Sequence, residues 1–266
     1  MSDWLGLQGK VYIVTGGSSG IGKAIVDELL AAGAQVINAD IHSSVQLHPR
    51  LHFIETDVSS KTAVEHLIAT TLKKAGTIDG IVNNAGINLP RLLADQKHPH
   101  GRYELTEEIF DQLLAINLKS VYLLSQAAAR IFYQTGTGVV INISSEAGLE
   151  GSEGQSIYAA TKAAINSFTR SWAKELGKFN IRVVGVAPGI MEETGLRTLE
   201  YEEALAYTRG ITVDALRKNY SKVSTIPLGR SGRLEEVANV VSFLLSDRAS
   251  YISGVTMNVA GGKTRG

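Results

Sequence analysis

The sequence predicts an α/β protein, a single domain built on a doubly wound, seven-stranded parallel sheet with helices on both faces. Three observations predict it. Seven short runs, at residues 10–15, 35–39, 51–55, 78–82, 139–143, 181–186 and 255–259, are rich in β-branched residues and bounded by Gly, Asn, Asp or Pro. They are apolar throughout rather than alternating, as strands buried on both faces must be. Between most of them lie segments of helical period, and strands alternating with helices imply parallel pairing.

In chain order, the first strand stops at the glycine cluster 16–22. From Ile21 onward, Ile21, Ile25, Leu29 and Leu30 share one helical face until Gly33 ends the segment. The second strand ends at Asp40. The third, at 51–55, precedes a helix over 63–72, and the fourth, at 78–82, precedes a long helix over 109–132. The fifth, at 139–143, leads to a helix over 161–176, and the sixth and seventh follow. Two stretches break the rhythm. Residues 87–105 hold two prolines and no clear period, and 189–226 separates two strands. Both follow the C-terminal ends of strands, where open α/β sheets bind ligands, so they are expected to serve the substrate, the second as a lid.

Composition removes whole classes of function. Among 266 residues, 26 Lys plus Arg balance 26 Asp plus Glu. A neutral chain lacks the basic field that binding nucleic acid or a membrane surface requires. With no cysteine there is no disulfide, no iron–sulfur cluster and no thiol nucleophile. His48, His52, His98 and His100 have no third ligand at a regular offset, so no metal is expected. The first ten residues have neither a basic nor an apolar signal region, and no apolar run approaches the roughly 18 residues of a membrane span. A cytoplasmic protein is the expectation.

The glycine loop fits three motifs. Residues 17–24 (GSSGIGKA) match a phosphate-binding NTPase loop except at Ala24, where a magnesium-binding hydroxyl is needed. Residues 16–20 match a G-x-S-x-G nucleophile elbow, but a hydrolase triad needs a late histidine and the last one here is His100. The third is a Rossmann-like dinucleotide turn, in which Gly16, Ser18, Ser19, Gly20, Ile21 and Gly22 let a pyrophosphate approach a helix N-terminus. Asp40 supports it, standing 24 residues after Gly16 at the end of the second strand. An acid there accepts from ribose hydroxyls and repels a 2′-phosphate, which favours NAD over NADP.

Tyr158 and Lys162 are four apart and share a helical face. An ammonium beside a phenol favours the phenolate, which suits an acid/base for an alcohol–ketone couple. Ser145, just past the fifth strand, could hydrogen-bond the reacting oxygen. Asn117 interrupts an apolar helical stretch, where a buried amide needs partners.

Thr15-Gly16-x-x-x-Gly20-x-Gly22, Asn83-Asn84-Ala85-Gly86, Asn117, Ser145, Tyr158-x-x-x-Lys162, Pro188-Gly189 and Gly261-Gly262 together resemble the short-chain dehydrogenases/reductases, over essentially the whole chain. The resemblance implies that Tyr158 is the catalytic acid/base. Lys162 would lower its pKa and bind the nicotinamide ribose, Ser145 would position the substrate oxygen, and Asn117 would hold a water in a proton relay. It further implies that Asp57 and Val58 line the adenine site, that Asn84, Ala85 and Gly86 back the cofactor, and that the chain forms a homo-oligomer, usually a tetramer packed through the long helices. Where the family often has threonine, five residues past Pro188, this chain has Glu193, with Thr194 one later, so Thr194 is the candidate contact to the nicotinamide amide.

Residues 88–93 with 101–105, 148–156 and 194–209 are similar to the subgroup that interconverts sorbitol 6-phosphate and fructose 6-phosphate. That similarity implies a phosphorylated polyol or ketose as substrate. Such a substrate needs fixed cations, and Arg91, Lys97 and Arg102 in the first irregular stretch, with Arg197 and Arg209 in the second, are the candidates. Glu150 and Glu153 are candidate acceptors for the polyol hydroxyls. The alternatives are a dehydrogenase or reductase of another polyol, sugar or oxoacyl substrate, and a non-catalytic NAD-sensing protein on the same fold.

Overall fold

Seven strands, β1 (Val11–Thr15), β2 (Gln35–Asp40), β3 (Leu51–Glu55), β4 (Gly80–Asn83), β5 (Gly138–Ile143), β6 (Ile181–Pro188) and β7 (Thr256–Val259), pair in parallel in the spatial order β3-β2-β1-β4-β5-β6-β7. The computed structural model describes residues 4–43, 47–195, 197–222 and 225–263. The strand order reverses between β1 and β4, which opens a crevice at their C-terminal ends. Register fixes what lines it: Thr15 pairs with Ala39, so Gly16 and Asp40 emerge side by side.

Both faces of the sheet are buried. Tyr12 and Val14 of β1 pack on one side against Ile25 and Leu29 of α1 (Gly20–Ala31) and Val237, Val241 and Leu244 of α9 (Leu234–Leu245). Val11 and Ile13 face the other side, against Leu67 of α2 (Lys61–Ala75) and Leu124, Ala128 and Phe132 of α4 (Ser120–Thr135). Two cores, one per face, are the physical reason the strands carry no polar alternation. Each buried Val, Ile or Leu contributes about 1.5–3 kcal/mol before its ordering entropy is counted.

The long helix expected over 109–132 is divided. α3 (Glu107–Leu114) and α4 flank a π-helical turn, Ala115–Lys119, with Asn117 fully buried within it. Such turns widen a helix by one residue and redirect a side chain, and the apolar period alone does not reveal them. The helix expected over 161–176 begins earlier: α6 spans Ser156–Leu176 and places Tyr158 in its first turn. A short α5 (Ala147–Glu150) follows β5.

The two irregular stretches are built structures. Within 189–226, α7 (Leu199–Thr208) and α8 (Val213–Lys222) form a small core of their own around Leu205, Ala206 and Leu216. In the earlier stretch, Arg91 bridges to Gln155 and Leu92 to Glu104. The buried Asp95 carboxylate accepts from the Lys97 and His98 N–H groups and, at 2.6 Å, from the Tyr207 hydroxyl. Tyr103 stacks on Tyr207 at 4.4 Å between ring centres. The two stretches are therefore tied to each other at the rim of the crevice. Among the described residues no helix is long and apolar enough to cross a membrane, and no three His, Asp or Glu cluster as metal ligands.

A buried chain of polar side chains fixes the sheet edge beneath the crevice. Asn83 Nδ2 donates to Asn142 Oδ1 at 2.8 Å and to Ser125 Oγ at 2.9 Å, and Asn142 Nδ2 donates to Thr169 Oγ1 at 3.0 Å. Neutral amides without partners there would each cost about 1–3 kcal/mol. Asn142→Ala, which strips partners from Asn83 and Thr169, is expected to lower unfolding free energy by about 2–4 kcal/mol in urea denaturation. A loss below about 0.5 kcal/mol would show the chain to be dispensable.

Candidate active site

One cleft of about 1020 Å³ runs along the C-terminal ends of the strands, large enough for a dinucleotide and a small substrate together. At one end is the glycine turn. Gly16 and Gly20 have φ of 64° and 54°, in the left-handed region, so the chain can reverse between β1 and α1. A Cβ on Gly22 would lie 2.0 Å from the Gly16 carbonyl oxygen, which explains the third glycine. The N-cap Ser19 makes no side-chain cap, and the first turn of α1 carries no acid. The helix's free N–H groups and positive end therefore remain available to an anion, the condition a pyrophosphate needs.

Around this turn the cleft is lined by Asp40, Asp57 and Val58, with Asn84, Ala85 and Gly86 behind. The Asp40 carboxylate accepts from the Ser18 and His42 N–H groups at 3.0 and 3.1 Å, which fixes its direction. The side chain of Asn84 donates to the carbonyls of Thr15 and Gly16 and so braces the turn itself. Pro188, Gly189 and Thr194 line the far wall. Thr194 approaches the turn, 3.6 Å from where a Cβ of Gly20 would be, and Glu193 does not line the cleft. Ser18 departs from expectation: its hydroxyl donates to the His42 carbonyl and accepts from Asn38, so it pins the turn to β2 and does not line the cleft.

Ser145, Tyr158 and Lys162 meet in the middle of the cleft wall. β5 delivers Ser145 and the first two turns of α6 deliver the other two. Ser145 Oγ accepts from the Ala147 N–H at 3.2 Å, and its hydroxyl neighbours the Tyr158 phenol, whose pKa it lowers. Lys162, only 4% exposed, donates from Nζ to the Ile143 carbonyl at 2.9 Å and lies 5.7 Å from the Tyr158 ring centre. Burial dominates the titration of both groups. It lowers the Lys162 pKa to about 8, and it raises that of Tyr158, against which the Ser145 hydrogen bond acts downward and the Glu146 charge upward. The phenol is therefore not activated in the way the i,i+4 spacing implied, because desolvation of the protein's own groups outweighs their attraction.

Asn117 lies behind the wall. Its Oδ1 accepts from the Ile87 N–H and its Nδ2 donates to the Ile87 carbonyl, both at 2.8 Å. The π turn thus clamps the backbone leaving β4. A Cβ on Gly86 would be 3.2 Å from Asn117 Oδ1 and 3.7 Å from Lys162 Nζ, so glycine lets these two side chains come together.

The substrate end is only partly as expected. Arg197, Arg209 and Glu150 line the cleft, whereas Arg91, Lys97, Arg102 and Glu153 do not. Arg91 donates to the Pro90 carbonyl, and Arg102 pairs with Glu200 at 3.4 Å above the Tyr103 ring. Lys97 and Glu153 are exposed. The cause is the capture of backbone N–H groups by Asp95 and Glu104, which turns the basic side chains of this stretch away from the crevice. Polar lining residues not singled out in the sequence are Glu146, Gln155, Tyr201, Tyr220 and Lys263. Lys263 forms an ion pair with Glu146. Gln155 and Tyr201 lie within the 148–156 and 194–209 stretches already singled out, and Glu146 and Lys263 next to Ser145 and Gly262.

Lys162 carries a stability consequence. Its pKa is lower folded than unfolded, so the unfolded chain binds the extra proton between about pH 8 and 10.5, and stability rises with pH through that window. Below pH 8 the charged, buried ammonium destabilises the fold. Lys162→Met is expected to raise stability by about 1–3 kcal/mol at pH 7 and by less at pH 10, measured by thermal unfolding, while removing a site residue. A lower melting temperature at pH 7 would contradict this.

Comparison with known proteins agrees with the geometry. The short chain dehydrogenase family model matches residues 10–204. The sorbitol-6-phosphate 2-dehydrogenase of Klebsiella pneumoniae is 61% identical over the full length of both chains. The ligand-free aldohexose dehydrogenase of Thermoplasma acidophilum superposes with a TM-score of 0.83 at 29% identity, covering 97% of this chain and 95% of that one. The 3-ketoacyl-(acyl-carrier-protein) reductase of Brucella melitensis, complexed with NADH, superposes with a TM-score of 0.81 at 26% identity, covering 97% and 100%. With the glycine turn, the Ser-Tyr-Lys cluster and the strand order already in place, the chain belongs to the short-chain dehydrogenases, oxidoreductases that use a nicotinamide cofactor.

Proposed function

We propose that the protein oxidises sorbitol 6-phosphate at C2 to fructose 6-phosphate, with NAD⁺ as acceptor. The observation that carries this reading is the 61% full-length identity to the Klebsiella sorbitol-6-phosphate 2-dehydrogenase. Asp40, directed into the cleft beside the glycine turn, supports NAD over NADP, since its charge repels a 2′-phosphate. The uncapped N-terminus of α1 would hold the pyrophosphate, Asp57 and Val58 would border the adenine, and Lys162 and Thr194 would reach the nicotinamide side. A nicotinamide bound there would supply the acceptor for the hydride leaving C2.

The remaining chemistry belongs to the chain. Tyr158, as phenolate, takes the C2 hydroxyl proton, leaving a C2 carbonyl. The Ser145 hydroxyl, on the same cleft wall as that phenol, holds the reacting oxygen. Asn117, through Ile87, and Lys162, through Ile143, keep the two sides of the wall in register. Arg197 and Arg209 are the cations positioned for the phosphate, and Glu150 accepts from polyol hydroxyls. In this reading α7 and α8, braced by the 87–105 stretch, act as a lid. In this reading the enzyme is cytoplasmic. The exposed Phe110, Tyr122 and Tyr133 of α3 and α4 fit a homotetramer packed through its long helices.

The test is NADH formation from sorbitol 6-phosphate. Wild type is expected to turn it over, and Tyr158→Phe to lose about 10³-fold in kcat. Arg209→Ala is expected to raise KM for sorbitol 6-phosphate about tenfold or more and to leave KM for sorbitol nearly unchanged, whereas Arg91→Ala changes neither by more than about twofold. Turnover of a 3-oxoacyl thioester in place of sorbitol 6-phosphate would select the reductase alternative. NAD binding without turnover over a polyol panel would select the sensing alternative. Asp40→Ala is expected to cut the kcat/KM preference for NAD⁺ over NADP⁺ by about 10–100-fold, and an unchanged preference would remove Asp40 from cofactor choice.

A further inference from the structure

Arg197 is held in an unusual way for a surface-loop arginine. Its Nε donates to Glu202 Oε1 at 2.8 Å, and its guanidinium lies over the Tyr220 ring, 4.1 Å from the ring centre. One edge and one face of the planar group are thereby fixed by α7 and α8 respectively. The two terminal nitrogens make no hydrogen bond among the described residues, and the side chain lines the cleft. A guanidinium with its inner edge anchored and its outer edge open is a preorganised anion receptor. Arg209, at the C-terminal cap of α7, also lines the cleft and has no side-chain hydrogen bond or ion pair among the described residues.

Glu202 is the centre of this arrangement. Its side chain is only 6% exposed, and its second oxygen accepts from Arg217 Nε at 2.8 Å. The two arginines hold its carboxyl below the usual range, so it stays ionised at neutral pH. A buried carboxylate costs desolvation energy that a simple helix contact between α7 and α8 would not require, because apolar packing there would stabilise as well or better. Its distinctive contribution is directional: it fixes which edge of Arg197 faces the cleft.

We propose that Glu202 is a positioning residue for the phosphate of the substrate, acting by presenting the outer edge of Arg197 to the cleft, which Arg209 also lines, as an anion subsite carried on the lid. This inference rests on the phosphorylated-substrate reading and deepens it. Glu202 does not touch the substrate. It sets the orientation, and hence the affinity, of an arginine that does, and the subsite forms only while α7 and α8 are packed together.

Steady-state kinetics with sorbitol 6-phosphate and with sorbitol, together with calorimetric titration by inorganic phosphate, test the proposal on the intact protein. Glu202→Gln is expected to raise KM for sorbitol 6-phosphate about tenfold with kcat changed about twofold or less, and to weaken inorganic phosphate by a similar factor. Glu202→Asp should recover part of the affinity. Arg217→Ala, which removes the other partner but leaves the Arg197 contact, should change KM by less than about threefold. If Glu202→Gln raises KM for both polyols alike, or if Arg217→Ala matches it, Glu202 merely joins two helices and the proposal is overturned. Should Glu202→Gln fail to fold, Glu202→Asp decides: wild-type affinity for both ligands in that variant overturns it. If the wild type binds phosphate and Glu202→Gln weakens that binding but the wild type does not oxidise sorbitol 6-phosphate, the anion subsite stands and the proposed substrate falls.

Discussion

The site depends on one set of contacts at the strand reversal, where Thr15 joins the end of β1 to the loop leaving β4. The Thr15 hydroxyl donates to the Val82 carbonyl and accepts from the Asn84 and Ala85 N–H groups, each at 3.0 Å. Asn84 answers by donating from its amide to the carbonyls of Thr15 and Gly16. A reversal in strand order necessarily leaves two loops diverging from neighbouring strands. These bonds convert that divergence into a rigid floor. The glycine turn is bound to it directly, and the cluster of Lys162, Asn117 and Gly86 sits on its other side. Cofactor and acid/base positions are thus referred to the same few backbone atoms, which is what holding a hydride donor against its acceptor requires.

Burial sets both the strength and the difficulty of the central cluster. Lys162 is almost inaccessible and gives one hydrogen bond to a carbonyl, so its ammonium is poorly compensated and its pKa falls to about 8. Tyr158 is shifted the other way by the same cause. Each group is therefore nearer to its neutral form than it would be in water; a negative ligand beside Lys162 favours its ammonium, whereas the Tyr158 phenolate is favoured by positive charge beside it. Stability is reduced for a chemistry that needs an ammonium and a phenol within reach of one another.

How much could be read in advance follows from how local each feature is. The glycine turn, Asp40 and the Tyr158–Lys162 pair were legible because a tight reversal, a strand end and an i,i+4 face are set by the chain over a few residues. The inner strands were legible because a doubly buried sheet leaves nearly uninterrupted apolar runs, and the half-buried edge strands β3 and β7 because short apolar runs there end at Gly, Asn or Asp. Asn117 was legible as a buried amide in need of partners, but the π turn that aims it at Ile87 shifts the helical register by one residue over a single turn, too short a stretch for the apolar period to show it. The direction of the basic residues in 87–105 was not legible at all. It is decided by Asp95, which bonds Tyr207 more than a hundred residues away, and by Glu104, which takes two N–H groups of its own loop. The orientation of the Ser18 hydroxyl was not legible for a related reason, since it is held by Asn38 of β2 and by the His42 carbonyl just past that strand.

The neutral formal charge of the chain conceals a strong separation along the cleft. Asp40 and Asp57 line it at the ends of β2 and β3, and Arg197 and Arg209 line it from the 189–226 stretch. Partly buried charges are screened by salt much less than exposed ones, so this polarity persists at physiological ionic strength. A ligand pair with a ribose at the acidic end and a phosphate at the basic end is favoured in one orientation and opposed in the reverse. Glu202 refines the basic end, because it offsets one of the two arginines it joins and leaves the field concentrated at the outer edge of Arg197. Under the proposed reaction the phosphate is drawn to the lid, and the sugar carbon chain extends from there toward Ser145 and Tyr158. The distance from phosphate to reacting carbon is then what the cleft measures, and a substrate lacking the phosphate loses the anchor that brings C2 to the phenol.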